Sequence, residues 1–405
     1  MVFIGYRTKL FTFLSWFMLL SLHNRNGLIL QGGDDLLRMV LFWGIFIPWG
    51  ARYSCDAILS EKIYANKTIC TVATIAYLLQ ICYIYTGSAL LKGPEWNRDY
   101  TAMYYVYGLD QVAYSFTKLF FYYPALLNKL TAIAYYFELL VPFLFFIPLK
   151  HQAFRLIGVL LIILFHTLNS MTLFIGLFPL IGIATSLGIL PSLMMDWLEK
   201  RTEKLKESVR ESFMAISFFC QSLLRWKDPV YEYSQWRENI KTAILIFLVV
   251  FVFDWNFSNL SFINSKLSDS FRPVGYALRL DQNWGMFAPG VFKDDGWYIL
   301  EGVTEKNKEI NVFQEGKEID YKKPGSVTSL FKNDRWRKYT ENMILKYNSF
   351  MRGYFCNYYK RIWNDNSSEK IKALRIVYMS EFTLPDYQYS RPSREVLWEC
   401  EGSCR

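Results

Sequence analysis

Lys92, Glu138 and His166 are ionisable side chains that lie inside, or at the end of, strongly apolar stretches. Ionisable groups at such positions are costly to bury unless they find a partner, so each marks a candidate site. Glu138 sits in AYYFELLVPFLFF, where it either pairs with His166 or keeps its proton. His166, Asn169 and Ser170 share LFHTLNSMTLFIGLF, at spacings of three and four that put them on one helix face. That face is expected to point into a helix bundle. It serves there either as interhelical hydrogen-bond glue or as a site in which His166 is catalytic and Asn169 and Ser170 hold a cofactor. Lys92 closes an apolar run just before Trp96. A lysine there either snorkels to the membrane interface or, desolvated beside a cavity, acts as a base. Asp110 and Lys118 are the nearest further charges and are expected at an interface, exposed. Asp34 or Asp35, after Gly32-Gly33, is expected to N-cap a helix, with Arg38 placed to pair with Asp34.

Other chemistries have no support in the sequence. No P-loop, dinucleotide fingerprint, His-Glu-x-x-His or nucleophile elbow occurs. The chain has 3 histidines, scattered and without nearby cysteines, so no metal site is expected. The net charge of +9 comes without a basic, aromatic-interleaved motif, so no nucleic-acid partner is expected.

The elements that must position these groups are membrane helices. A helix needs about 20 mainly apolar residues to cross a bilayer. Runs at 10–22, 36–51, 68–91, 124–149, 153–170, 171–195 and 240–257 give a mainly α, polytopic bundle of about seven helices over 1–257. The first run follows Arg7 and Lys9 and lacks a small-residue cleavage site, so it reads as a retained helix rather than a signal peptide. Residues 101–123 are rich in tyrosine, which suits a membrane interface. Residues 196–239 form a charged loop. Its first half has Leu198, Leu205, Val209, Phe213 and Ile216 at helical spacing, an amphipathic helix on the membrane surface or on the bundle's own loops. Its Lys and Arg content places it in the cytoplasm, which leaves 258–405 on the other side.

From 258 the composition is that of a small soluble α+β, β-rich module. WYILEGV and EINVF read as a hairpin, 331–363 as helical and 373–382 as a strand. Cys55, Cys70, Cys82 and Cys220 are expected as packed thiols. Cys356, Cys400 and Cys404 can form a disulfide if the module faces an oxidising compartment.

Four stretches resemble the HTTM membrane domain, which contains the vitamin K-dependent γ-carboxylase family. They are LILQGGDDLLRMVLFWGIFIPWGARYSCD (28–56), LQICYIYTGSALLKGPEW (79–96), FHTLNSMTLFIGLFP (165–179) and LRLDQNWGMFAPGVFKDDGWYILEG (278–302). Phe165, His166, Asn169, Ser170, Phe174, Gly176 and Phe178 match the family pattern, as does the run from Gln282 to Pro289. The resemblance implies a helix bundle followed by an extracytoplasmic β-rich region. It also implies a lysine that deprotonates a reduced quinone such as vitamin K hydroquinone. Counting from Gly87 places that lysine at Leu90, whereas counting back from Trp96 favours Lys92. The expected function is maturation or modification of a secreted peptide or protein. The alternative is γ-glutamyl carboxylase-like chemistry, with Lys92 as base and His166, Asn169 and Glu138 shaping the cavity. The expected location is the bacterial inner or plasma membrane, with the lipid bilayer and a secreted peptide as partners.

Overall fold

The computed structural model describes residues 1–52, 54–59, 69–202, 214–215, 218–219, 234–258, 260 and 271–401. The chain is mainly helical, with a small antiparallel sheet at its C-terminal end. Helices α1 (Thr8–Arg25) and α2 (Gly32–Gly44) form a hairpin, and the short α3 (Cys55–Leu59) follows. The long α4 (Val72–Leu91) turns through α5 (Pro94–Asn97) into α6 (Ala102–Gly108). Then come α7 (Pro124–Leu144), α8 (His151–Thr172), α9 (Phe178–Leu187), α10 (Ser192–Arg201) and α11 (Gln235–Phe257).

Three of these helices, α4, α8 and α11, are long and apolar enough to cross a membrane. A fourth crossing results only if α9 and α10, bent 86° to each other, count as one span. The seven apolar runs are therefore not seven spanning helices of full length. α2 has 13 residues, about 20 Å of helix, against a hydrocarbon core of about 30 Å. The run 171–195 breaks for local reasons. Gly176 adopts φ +62°, and a side chain there would collide with Asp334. Pro179 then opens α9, and Pro191 precedes α10. The outer faces are apolar: Ile157, Leu160, Leu164, Leu168 and Met171 form an exposed stripe along α8, and Ile240, Ile244, Phe247 and Val250 form one along α11. Apolar stripes of that extent suit lipid rather than water.

The C-terminal module begins with α12 (Arg272–Ala277) and a loop that runs back over the bundle. β1 (Asp294–Thr304) pairs antiparallel with β2 (Glu309–Asn311) and with β3 (Ile371–Leu384). β4 (Gln388–Tyr389) and β5 (Ser393–Glu401) pair with the other side of β3. Helices α13 (Asp334–Ile344) and α14 (Phe350–Asn366) complete the module, and α14 covers the sheet. The hairpin, the helical 331–363 region and the central strand all occur where the alternation and turn residues predict. A disulfide joins Cys356 on α14 to Cys400 on β5. Cys55 and Cys82 are buried, but Cys70 is exposed rather than packed. Cys220, Cys404 and most of the expected amphipathic helix lie outside the described residues.

The module docks on one end of the bundle. Asn342 donates to the Leu28 carbonyl, and Arg335 to the Ile29 carbonyl and to both Asp34 oxygens. Ser115 donates to the Gly325 carbonyl, and Phe174 packs into the module's core. These contacts lie in the α1–α2, α6–α7 and α8–α9 connections, all at the same end. They also correct the expected capping of α2. Gln31 is the N-cap, and Asp34, in the first turn, accepts from the Gln31 N–H at 2.9 Å. Arg38 pairs with Asp35 at 2.9 Å rather than with Asp34, because Arg335 claims Asp34.

Candidate functional site

One face of α4 collects the polar side chains of the bundle interior. Tyr85, Ser88 and Lys92 recur at helical spacing, so they project from one side toward α7 and α8. The opposite side is occupied by the 278–290 loop, with Trp284 against Gly87. Lys92 follows the last residue of α4 and is 6% exposed. It does not snorkel. Its ammonium pairs with the buried Glu138 carboxylate of α7 and lies 4.1 Å from the centre of the Trp96 ring. Glu138 therefore pairs with Lys92 and not with His166.

His166, 1% exposed, has a different partner: its Nε2 lies 2.9 Å from the Tyr85 hydroxyl. Gly182 on α9 makes room for this ring, since a Cβ there would fall 2.2 Å from Nε2. Phe178 meets the ring edge-on at 5.3 Å. Tyr85 packs edge-on against Phe137 and Phe165, which stack on each other at 4.4 Å. Two polar atoms of this face have no hydrogen-bond partner among the described residues: Ser88 Oγ and His166 Nδ1. Buried polar atoms are rarely left without a hydrogen bond, so both are positions for a ligand's polar group.

Of the residues predicted from the sequence, Lys92, Glu138 and His166 converge in the interior. Asn169 and Ser170 do not join them: Asn169 is half-buried and Ser170 is exposed. They lie on the last turn of α8, one turn beyond His166. Asp110 and Lys118 are likewise not ordinary exposed charges. Asp110 is buried, 3.0 Å from Lys118, and also pairs with Lys323. Tyr85 and Ser88 are the residues missed by sequence reasoning. Their seven- and four-residue offsets to Lys92 were the available signal.

The corner after α4 is locked to the C-terminal loop. Gly93 donates to the Pro289 carbonyl at 2.6 Å, and a side chain at Gly93 would meet that oxygen. The Trp96 indole donates to the Phe287 carbonyl at 2.9 Å, and Glu95 accepts from Val291 N–H and Lys293. Deeper in, Gln282 accepts from the Gln80 side chain at 2.7 Å and from the Trp284 indole at 3.2 Å. Gly32 approaches Met286, Phe178 and Trp284, and Gly33 packs on Phe178. The four stretches singled out in the sequence thus meet around α4. Among the described residues no cluster of His, Cys, Asp and Glu suits a metal. Comparison of the chain with protein-family models, curated proteins and solved structures gives no match.

Proposed function

We propose that this chain is a multi-pass membrane protein of the HTTM type that modifies a secreted peptide or protein during its maturation, with the Tyr85–Ser88–Lys92 face of α4 as its proton-transfer site. The observation that carries this reading is the buried Lys92–Glu138 pair. Buried ion pairs contribute little net stability, because desolvation offsets the attraction. Transfer of one proton from the ammonium to Glu138 then leaves Lys92 as a neutral amine, able to accept a proton from a bound hydroxyl.

The specific form of this proposal is γ-carboxylase-like chemistry on peptide glutamate, with a reduced quinone as cofactor. The polar groups present fit such a ring: Ser88 Oγ and His166 Nδ1 are unpartnered among the described residues and would hold its hydroxyls, beside the packed aromatic rings of Tyr85, Phe137, Phe165 and Phe178. A reduced quinone, when bound, supplies an acidic hydroxyl and the redox chemistry that generates a strong base. The chain's own part is to orient the ring through His166 and Ser88 and to take the hydroxyl proton at Lys92 Nζ, while Glu138 keeps the one proton that the ammonium gave up.

The Lys- and Arg-rich stretch 196–239, which joins α10 to α11 at the end away from the C-terminal module, supports the bundle's orientation. By the positive-inside rule that end is cytoplasmic and the module extracytoplasmic. The Cys356–Cys400 disulfide accords with an oxidising compartment. A second reading, a maturation factor without catalysis, draws on the completeness of the Lys92–Glu138 pairing, which also suits a structural pin. Mass spectrometry of peptides secreted by cells with and without the protein, and with Lys92→Arg, decides between them. A modified residue lost in both the knockout and Lys92→Arg supports the enzyme. A modification that survives Lys92→Arg removes Lys92 from the chemistry, and unchanged peptides in the knockout defeat the proposed role in modification.

A further inference from the structure

At the bundle end away from the C-terminal module, α11 and the chain following α2 enclose a groove of about 320 Å³. Phe46, Trp236, Ile240, Ile244 and Leu245 line it with Arg237 and Lys241, and its exposed surface is almost wholly apolar, so the two cations contribute mainly their hydrocarbon stems to it. Arg237 and Lys241 are one helical turn apart, so both cations project over the same opening. Trp236 is 59% exposed, with the Arg237 guanidinium 5.7 Å from its ring centre. Trp49 and Trp197 are also exposed near this end, and Arg201 lies 5.5 Å from the Trp197 ring centre. Tryptophan with arginine at one level is the pattern of a membrane interface.

We propose that this groove binds an anionic phospholipid of the adjoining leaflet, its phosphate between Arg237 and Lys241 and one acyl chain along Phe46, Ile240 and Ile244. Charge complementarity selects the occupant: two cations one turn apart on α11 border a groove whose lining is apolar, which fits an anion bearing a hydrocarbon tail. Basic pockets between membrane helices recognise such headgroups. One carboxylate is nearby, since Glu238 holds Lys241 at 2.8 Å. Both partners are substantially exposed, and such pairs are weak enough for a phosphate to displace. The site is separate from the α4 face and rests only on the reading of this chain as a membrane protein.

The test uses the full-length protein reconstituted in vesicles of phosphatidylcholine with one-quarter phosphatidylglycerol, then extracted for native mass spectrometry. The wild type is expected to retain phosphatidylglycerol at least fivefold over its share of the vesicle, and Arg237→Gln/Lys241→Gln to lose that enrichment. Ile240→Trp, which fills the floor and keeps both cations, is expected to lose it as well. Arg98→Gln, at an exposed cation beside the C-terminal module, is expected to keep it. Equal retention of the two lipids by the wild type, or enrichment unchanged in both groove variants, overturns the proposal. A chain recovered in the soluble fraction of cells overturns instead the membrane reading beneath it.

Discussion

Two buried charge clusters lie on either side of the junction between bundle and module, and they are built differently. In the α4 face one lysine meets one carboxylate, and two polar atoms nearby remain unpartnered among the described residues. In the other, between α6 and the sheet, three carboxylates meet two lysines. Asp110 pairs with Lys118 and Lys323, Lys323 also pairs with Glu381, and the Asp295 carboxylate accepts from the Asp110 N–H. Burial, and then the Asp110 carboxylate, push Asp295 up to about 7. Asp295 therefore carries a proton over much of the range below neutrality, and two lysines then balance two carboxylates. Burial opposes the charge on Lys323, but Asp110 and Glu381 outweigh it and hold the lysine above its ordinary value. The lysines also donate to or lie over Tyr389, which joins β4 to this cluster. The second cluster is a clamp of ion pairs in which each carboxylate meets a cation or an N–H, although Thr383 Oγ1 and Trp297 Nε1 beside it are also unpartnered among the described residues. The lesson is that burial and charge alone do not distinguish a site from a structural pin, and that the distinction must be tested by activity.

The largest expected effect comes from unpairing the α4 face. Lys92→Met or Glu138→Leu alone leaves an uncompensated buried charge, at a cost of about 3–5 kcal/mol. Membrane abundance and the thermal midpoint of the purified protein should fall sharply. The double variant should recover both and remain without activity. Activity in the double variant would turn the pair into a pin like the second cluster. Next, Lys323→Met leaves Asp110 and Glu381 without their shared cation. A loss of about 2 kcal/mol is expected, discounted for partial exposure, with the modification chemistry intact. A comparable loss of activity per folded molecule would erase the distinction between the clusters.

The clamp also has a pH signature. A carboxylate whose folded value is raised binds more protons folded than unfolded, so its contribution is fully present below its unfolded value near 4 and is lost as pH rises through about 7. The thermal midpoint of the wild type should therefore gain on that of Asp295→Asn as pH falls from 7 to 4. A constant difference would mean that Asp295 is already ionised. His166→Ala should abolish activity at unchanged membrane abundance, and loss of the protein itself would mark interhelical glue. Ser88→Ala should have the smallest effect on folding. Removing an unpaired buried hydroxyl is neutral or slightly stabilising, so the midpoint should hold while turnover drops about tenfold, a loss of about 1.4 kcal/mol in transition-state stabilisation. Unchanged turnover would mean that the hydroxyl contacts no ligand.

The apolar runs were enough to locate α1, α2, α4, α7, α8 and α11, because burying or lipid-exposing a continuous hydrophobic stretch leaves a helix few alternatives. Alternation and turn residues were enough for the β1–β2 hairpin and β3. The same local logic marked Lys92, Glu138 and His166, since an ionisable group in an apolar run must find a partner. It did not say which partner. Glu138 lies 46 residues from Lys92, and His166 lies 81 from Tyr85. Those meetings depend on how three helices rotate and how deeply they overlap. Ser170 shows the limit: helical spacing puts it beside His166, yet one turn further along it is exposed. The break from Gly188 to Pro191 turned an apparent span into two bent helices, and the turn at Gly176 brought Gly182 against His166. Sequence by itself determined which side chains had to leave water, because hydrophobic pattern is a local property. Tertiary structure alone decided which of them remained unpartnered, because pairing is settled by packing between segments far apart in the chain.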